Sequence, residues 1–349
     1  MAGTGRSVRS AFIHSAPPSR KSSNKSFKVI SGVEKLEEEN WNWYNLGRFY
    51  PVRIGQVFQS RYQVLGKLGY ETTSTAWLCR DLTVHQYVTL KVCALNPPTA
   101  RRELAAYNYL DPVTTSNPGC YLIRELLDSF KTTGPADLHA SNVHLKIEED
   151  SILKEYEMAE LRTPSARKLD GDRVVYESRG LRFTKNAGRP MLCDFGEARS
   201  GEETCTDNIQ PFVYRAPEII LHIPWTYSVD IWNIAVMVWN MFENKDLFNA
   251  EDGNGKRSNL HHMAEMVALL GPPRLDYLQR TETSWDYFNH NGNWKGAADI
   301  PDISLENFEE QLSGENKALF LDFIRKMLYW IPEERQTANQ LLSHSWLRG

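Results

Sequence analysis

The sequence predicts an α+β fold in two parts, with strands first and helices after. Three observations carry this expectation. Residues 62–68, 76–79 and 87–94 are short stretches of aliphatic and aromatic residues that read as strands. Residues 99–110 place Leu104, Tyr107 and Leu110 at helical spacing. Residues 228–242, 261–270 and 317–330 then give three clear helical stretches.

The first two strands flank a turn. The third carries β-branched Val88, Thr89 and Val92, which suit a pleated, packed surface. Pro97-Pro98 stand just before the first helix, where a proline is tolerated. The chain has 349 residues, enough for a sizeable core, and its 41% hydrophobic and 24% charged content is ordinary for a globular protein. Its longest apolar run, residues 234–239, is too short to cross a bilayer, so no membrane association is expected. Five cysteines without a C-x-x-C pair argue for a reducing compartment and against a disulfide framework or a zinc site.

The net charge of −4 hides an asymmetry. Residues 1–33 carry six of the basic residues and no acid; without those six, 34 basic residues face 44 acidic ones. An acidic body does not suit non-specific nucleic-acid binding, whereas it suits a basic protein substrate. The basic stretch reads as a disordered tail, with a mitochondrial transit peptide as the alternative.

The residues that carry chemistry come in order. Lys91 ends the apolar strand Val88-Thr89-Leu90-Lys91, and Glu103 follows twelve residues later on the helix. A lysine among buried neighbours needs a partner, and Glu103 is placed to be one. Asp137-Leu138-His139-Ala140-Ser141-Asn142 sets an aspartate five residues before an asparagine. Asp194-Phe195-Gly196 follows an apolar triplet, and Ala216-Pro217-Glu218 comes twenty-two residues after Asp194. No G-x-x-x-x-G-K-[ST] or G-x-G-x-x-G segment occurs, which sets aside a metabolic nucleotide-binding enzyme.

In this order and at this separation the pieces resemble a eukaryotic protein kinase. Phe49 to Gly55, Asn208-Ile209-Gln210-Pro211 leading to Tyr214-Arg215-Ala216-Pro217-Glu218, and Leu270-Gly271-Pro272-Pro273 are similar to the SR-protein kinases, fungal-type members in particular. The resemblance implies a bilobal kinase-like fold, with a small β-rich lobe and a larger helical one. It implies transfer of the ATP γ-phosphate to serines of basic Arg/Ser-rich proteins, with ATP and Mg²⁺ as cofactors. Asp137 would act as catalytic base, and Lys91 paired with Glu103 would aim at the phosphates. Asn142 and Asp194 would hold magnesium, and Leu68, Gly69, Ser74, Ala76 and Lys91 would contact the nucleotide. Glu218 would pair with Arg335. Thr204 and Thr206 are assigned no switch role.

The same resemblance sets the expected organisation. Residues 1–40 form the tail, 41–136 the first lobe and 137–349 the second, with a spacer at 146–190. The expected state is a monomer inside the cell, in cytoplasm or nucleus, with mitochondria as the alternative.

Three departures stand out. Glu71 replaces the second glycine of the glycine-rich loop, and Ala76 the usual valine; the Glu71 side chain is expected to swing outward. His139 replaces the lysine after the catalytic aspartate, which leaves less charge near the transferring phosphate. Only seven residues separate Phe130 from Asp137, where a complete kinase places a strand, the hinge and two helices, at least about 30 residues at mean element lengths. Apolar faces within residues 231–241 and 319–328 are therefore expected to lack a partner. Two accounts are open: a degraded paralogue that serves as a binding or scaffold module, or an incomplete product of a kinase gene.

Overall fold

The computed structural model describes residues 26–41, 44, 49–94, 98–110, 118–124, 126–132, 138–141, 143–144, 150–182, 190–200 and 204–348. Its contacts divide the chain into two units, Met1–Arg199 and Ser200–Gly349.

In chain order the first unit contains β1 (Val29–Ile30), β2 (Val57–Phe58), β3 (Tyr62–Tyr70), β4 (Ser74–Asp81) and β5 (Gln86–Cys93). The helix α1 (Pro98–Leu110) follows, then β6 (Ser129–Thr132), β7 (Leu138–Ser141) and β8 (Val143–His144). The unit continues with α2 (Asp150–Arg162), β9 (Arg167–Asp170) and β10 (Arg173–Tyr176). The principal sheet has the order β2-β3-β4-β5-β8, and its β3/β4 and β4/β5 pairs are antiparallel. Strand alternation explains its two faces. Trp77 and Cys79 of β4 bury with Val88, Leu90 and Val92 of β5 on one face. The intervening Leu78 and Tyr87 pack instead on Leu153 and Tyr156 of α2.

That packing revises the expected organisation. Residues 150–182, read as spacer in the second lobe, belong to the first unit, and the division falls after Arg199 rather than at 136/137. The physical reason is burial. Tyr156 and Leu153 cover apolar surface of β4 and β5, and Arg80, with no exposed area, pairs with Glu157 of α2. Tyr87 donates its hydroxyl to the same carboxylate at 2.6 Å.

Residues 29–40, assigned to the tail, are also ordered. β1 pairs with β9, and β9 pairs with β10. The short helical turn Glu37–Asn40 then supplies carboxylates to two buried lysines. Lys67 donates to Glu37 at 2.8 Å and Glu38 at 2.6 Å, while Lys168 donates to Glu39 at 3.0 Å. Without these acids both ammonium groups would be buried without counter-charge, which explains why the segment is held.

The stretch after Phe130 differs from expectation as well. β6 and β7 form an antiparallel hairpin with Phe130 opposite Ala140, and β8 pairs with β5, Leu90 opposite Val143. The backbone from Leu138 to Ser141 is thus a strand rather than a loop. The edge of β5 is paired by β8 instead, which satisfies amides and carbonyls that would otherwise be unpaired there.

The second unit is helical: α3 (Pro217–Ile220), α4 (Ser228–Glu243), α5 (Asn259–Leu270), α6 (Leu275–Leu278), α7 (Ser284–Tyr287), α8 (Leu305–Phe308), α9 (Gly314–Arg325), α10 (Ala338–Leu341) and α11 (Ser345–Arg348). Trp232 and Trp239 of α4 are fully buried, stacked on Phe248 and Phe320 respectively. The two faces expected to lack partners fare differently. Phe320, Leu321, Phe323 and Ile324 of α9 are buried, because α4 and α11 cover them. On α4, Ile234, Met237 and Met241 remain exposed, Met241 at 75%.

Candidate active site

The first unit brings three of the expected residues together. Registration of β4 with β5 places Ala76 opposite Lys91, and that of β3 with β4 places Gly69 opposite Ala76. Lys91 therefore stands beside the turn that links β3 to β4. Its ammonium donates to Glu103 Oε2 at 3.3 Å and to Asp194 Oδ1 at 3.1 Å. Glu103 sits on the inner face of α1 and is 1% exposed, so the expected lysine–glutamate pair forms. Burial would lower the Lys91 pKa, but Glu103, then Glu71 and Asp194, outweigh it and hold the group above the usual lysine range.

Asp194 is positioned from two sides. Before it, Leu192 is joined to the 122–124 segment by backbone bonds, Leu192 N to Leu122 O at 2.6 Å and Arg124 N to Leu192 O at 2.8 Å. After it, Phe195 meets Tyr107 of α1 edge-on at 5.1 Å. Arg102 of α1 donates to the Gly196 carbonyl at 2.9 Å and to Glu197 at 2.9 Å. Asp194 itself adopts a left-handed backbone with φ of 65°, which aspartate tolerates better than most residues. Gly196 lies against α1 so closely that an added Cβ would be 3.3 Å from Thr99 Cβ.

Glu71 departs from expectation. Its carboxylate turns inward, 3.2 Å from Lys91 Nζ, and accepts the Ser74 hydroxyl at 2.8 Å. Attraction to the ammonium outweighs the freedom to swing into water. Ser74, expected at the nucleotide, is buried and serves this contact. Leu68, half-buried, packs against the Leu78, Tyr87, Leu153 and Tyr156 cluster. Asp137 and Asn142 lie outside the described residues; the strand between them is the one paired with β6.

The donor set fits a nucleotide phosphate and a cation. The ammonium of Lys91 is a phosphate donor, the Asp194 carboxylate is 58% exposed and open to a cation, and a Cβ at Gly69 would meet nothing within 4 Å. Sequence reading missed Arg102 and Tyr107 as supports of the Asp194 segment. Nothing in the run Arg101-Arg102-Glu103 separates Arg102 from an ordinary surface arginine.

In the second unit Glu218 and Arg335 form the expected pair.

Comparison with known proteins agrees with this geometry. The protein kinase domain model matches residues 183–347. A serine/threonine protein kinase of Aspergillus fumigatus is 39% identical over 97% of this chain and 98% of its own length. The serine/threonine-protein kinase SRPK of Physarum polycephalum is 24% identical over 89% of this chain and 91% of its own. The serine/threonine-protein kinase SKY1 of Saccharomyces cerevisiae is 28% identical over 49% of this chain and 24% of its own. The Aspergillus alignment is 385 positions long yet takes in about 339 of the 349 residues here, so about 46 positions face a gap in this chain. By its match to the Aspergillus kinase along nearly the whole of both chains, this chain belongs to the ATP-dependent serine/threonine protein kinases.

Proposed function

We propose that the chain transfers the ATP γ-phosphate to serines of basic, Arg/Ser-rich proteins. The observation that carries the reading is Lys91 held between Glu103 at 3.3 Å and Asp194 at 3.1 Å, a phosphate donor beside a cation ligand. ATP supplies the group transferred, and Mg²⁺, when bound, would supply charge neutralisation at the phosphates. Lys91 orients the phosphates, Glu103 holds Lys91 in place, and Asp194, with Asn142, would hold the cation. Asp137 takes the proton of the substrate hydroxyl. The substrate class rests on the acidic balance beyond residue 33 and on the relative named SRPK. The reading includes a monomer working in the cytoplasm or nucleus.

The test is phosphate transfer from Mg-ATP to an Arg/Ser-repeat peptide, beside a Lys/Ser control and the Asp194→Ala variant. Transfer to the first peptide alone, lost in Asp194→Ala, supports the proposal; equal transfer to both peptides overturns the substrate class.

One observation favours a second reading, a binding module for basic partners without catalysis. Residues 138–141, within the segment that would carry the catalytic base, are committed to a strand hydrogen-bonded to β6. A folded chain that retains the basic peptide yet transfers no phosphate would select it.

A further inference from the structure

An ammonium has three hydrogens. Around Lys91 three carboxylates stand within 3.3 Å: Glu103 at 3.3 Å, Glu71 at 3.2 Å and Asp194 at 3.1 Å. Glu103 and Asp194 accept hydrogen bonds from the ammonium and Glu71 adds an ion pair at 3.2 Å, so the positive charge that a phosphate oxygen would meet is already shared among three carboxylates.

Their surroundings decide which one leaves. The Glu103 side chain is 2% exposed, and losing Lys91 would leave its charge buried without that partner. Asp194, 58% exposed, is no more buried than Glu71, but its backbone is tied through its neighbours: Phe195 rests on Tyr107, and Arg102 holds Gly196 and Glu197. Glu71 is 53% exposed, sits in the turn between β3 and β4, and can return to water at small cost. Its other side-chain contact is the Ser74 hydroxyl, three residues away on the same turn.

We propose that Glu71 is an internal competitor for the nucleotide phosphates, occupying Lys91 at rest and leaving when ATP enters. The inference rests on Lys91 being the phosphate-binding lysine. The turn then acts as a latch: phosphate and Glu71 compete for the charge of one ammonium, and their like charges repel. Affinity for phosphorylated nucleotides is reduced, whereas affinity for an unphosphorylated nucleoside is not. The substitution of glutamate for glycine thus sets a threshold for ATP instead of merely damaging the loop.

The test is titration calorimetry of the full chain with Mg-ATP and with adenosine, for wild type, Glu71→Gly, Glu71→Gln and Lys91→Met. Glu71→Gln keeps the side-chain volume and guards against a folding artefact in Glu71→Gly. The expected result is Mg-ATP binding tightened roughly three- to tenfold in both Glu71 variants, the scale of a half-exposed ion pair plus the relieved repulsion, with adenosine unchanged. Unchanged or weaker Mg-ATP binding in both variants overturns the proposal, and so does equal tightening for adenosine. Failure of the kinase reading itself would look different: Lys91→Met would bind Mg-ATP as wild type does, which overturns both.

Discussion

Arg335 meets Glu218 through two hydrogen bonds of 2.7 Å, and neither side chain has any exposed area. Arg335 also donates to the carbonyls of Ser228 at 3.0 Å and Tyr329 at 3.0 Å, and lies over Trp232 at 5.2 Å. Removing one partner strands a buried charge, so Arg335→Ala is expected to cost about 3–5 kcal/mol. Urea unfolding followed by tryptophan fluorescence measures it. A loss below about 1 kcal/mol would show that water reaches Glu218.

His262 on α5 has no exposed area and lies 4.8 Å from Phe248 and 6.2 Å from Phe212, ring centre to ring centre. Burial, then the positive charges of Arg215 and Arg257, lowers its pKa to about 3. The native imidazole therefore stays neutral between its ordinary value of about 6.5 and about 3, while the unfolded chain binds a proton there. Stability is fully present above about 6.5 and falls as pH drops, by about 1.4 kcal/mol per unit from this group. His262→Phe should flatten the slope measured between pH 6.5 and 4.5. An identical slope in the variant would assign the acid sensitivity elsewhere.

Tyr156 reaches from α2 to the Lys67 carbonyl at 2.8 Å, directly over Gly66. A Cβ at Gly66 would lie 2.5 Å from the Tyr156 hydroxyl oxygen. Tyr156→Phe should cost about 1 kcal/mol for the hydrogen bond, and Gly66→Ala more, through displacement of the ring. In a Tyr156→Ala background, Gly66→Ala should become nearly neutral. Additive costs in that cycle would place the strain away from Tyr156.

Lys91→Met should reduce phosphate transfer by at least about 10²-fold, the scale for removing one preorganised charge contact. Because the folded pKa of Lys91 is raised, its ion-pair stabilisation is complete below about 10.4 and is lost only as pH rises through the higher folded value. Transfer rates measured from pH 6 to 9 should therefore show no limb that Lys91→Met removes.

The residues around Lys91 were legible because local periodicity and chemistry coincide there. A β-branched strand presents the lysine, and helical spacing turns Glu103 toward it. Arg335 was found through its sequence context and its partner Glu218. What the sequence hid depends on where chain far away in sequence returns. The role of α2 rests on Leu153 and Tyr156 meeting Leu78 and Tyr87, which alternation marks only as apolar. The inward turn of Glu71 depends on Lys91 and Ser74 converging on one oxygen, a matter of register that composition does not express. The strand at residues 138–141 follows from its pairing with β6, and β8 after it closes on the edge of β5, a return visible only once the strands are assembled.

The turn at Glu37–Asn40 also decides where this chain can be cut. Composition suggests an edge near residue 41, where a basic stretch gives way to mixed aromatic and aliphatic sequence. A fragment begun there would lack Glu37, Glu38 and Glu39 while keeping Lys67, 1% exposed, and Lys168, 7% exposed. Each lysine would then need to shed its proton or open the fold to water, at about 3–5 kcal/mol apiece. The first unit is bounded by where its charges balance, and that border runs upstream of the one drawn by hydrophobicity.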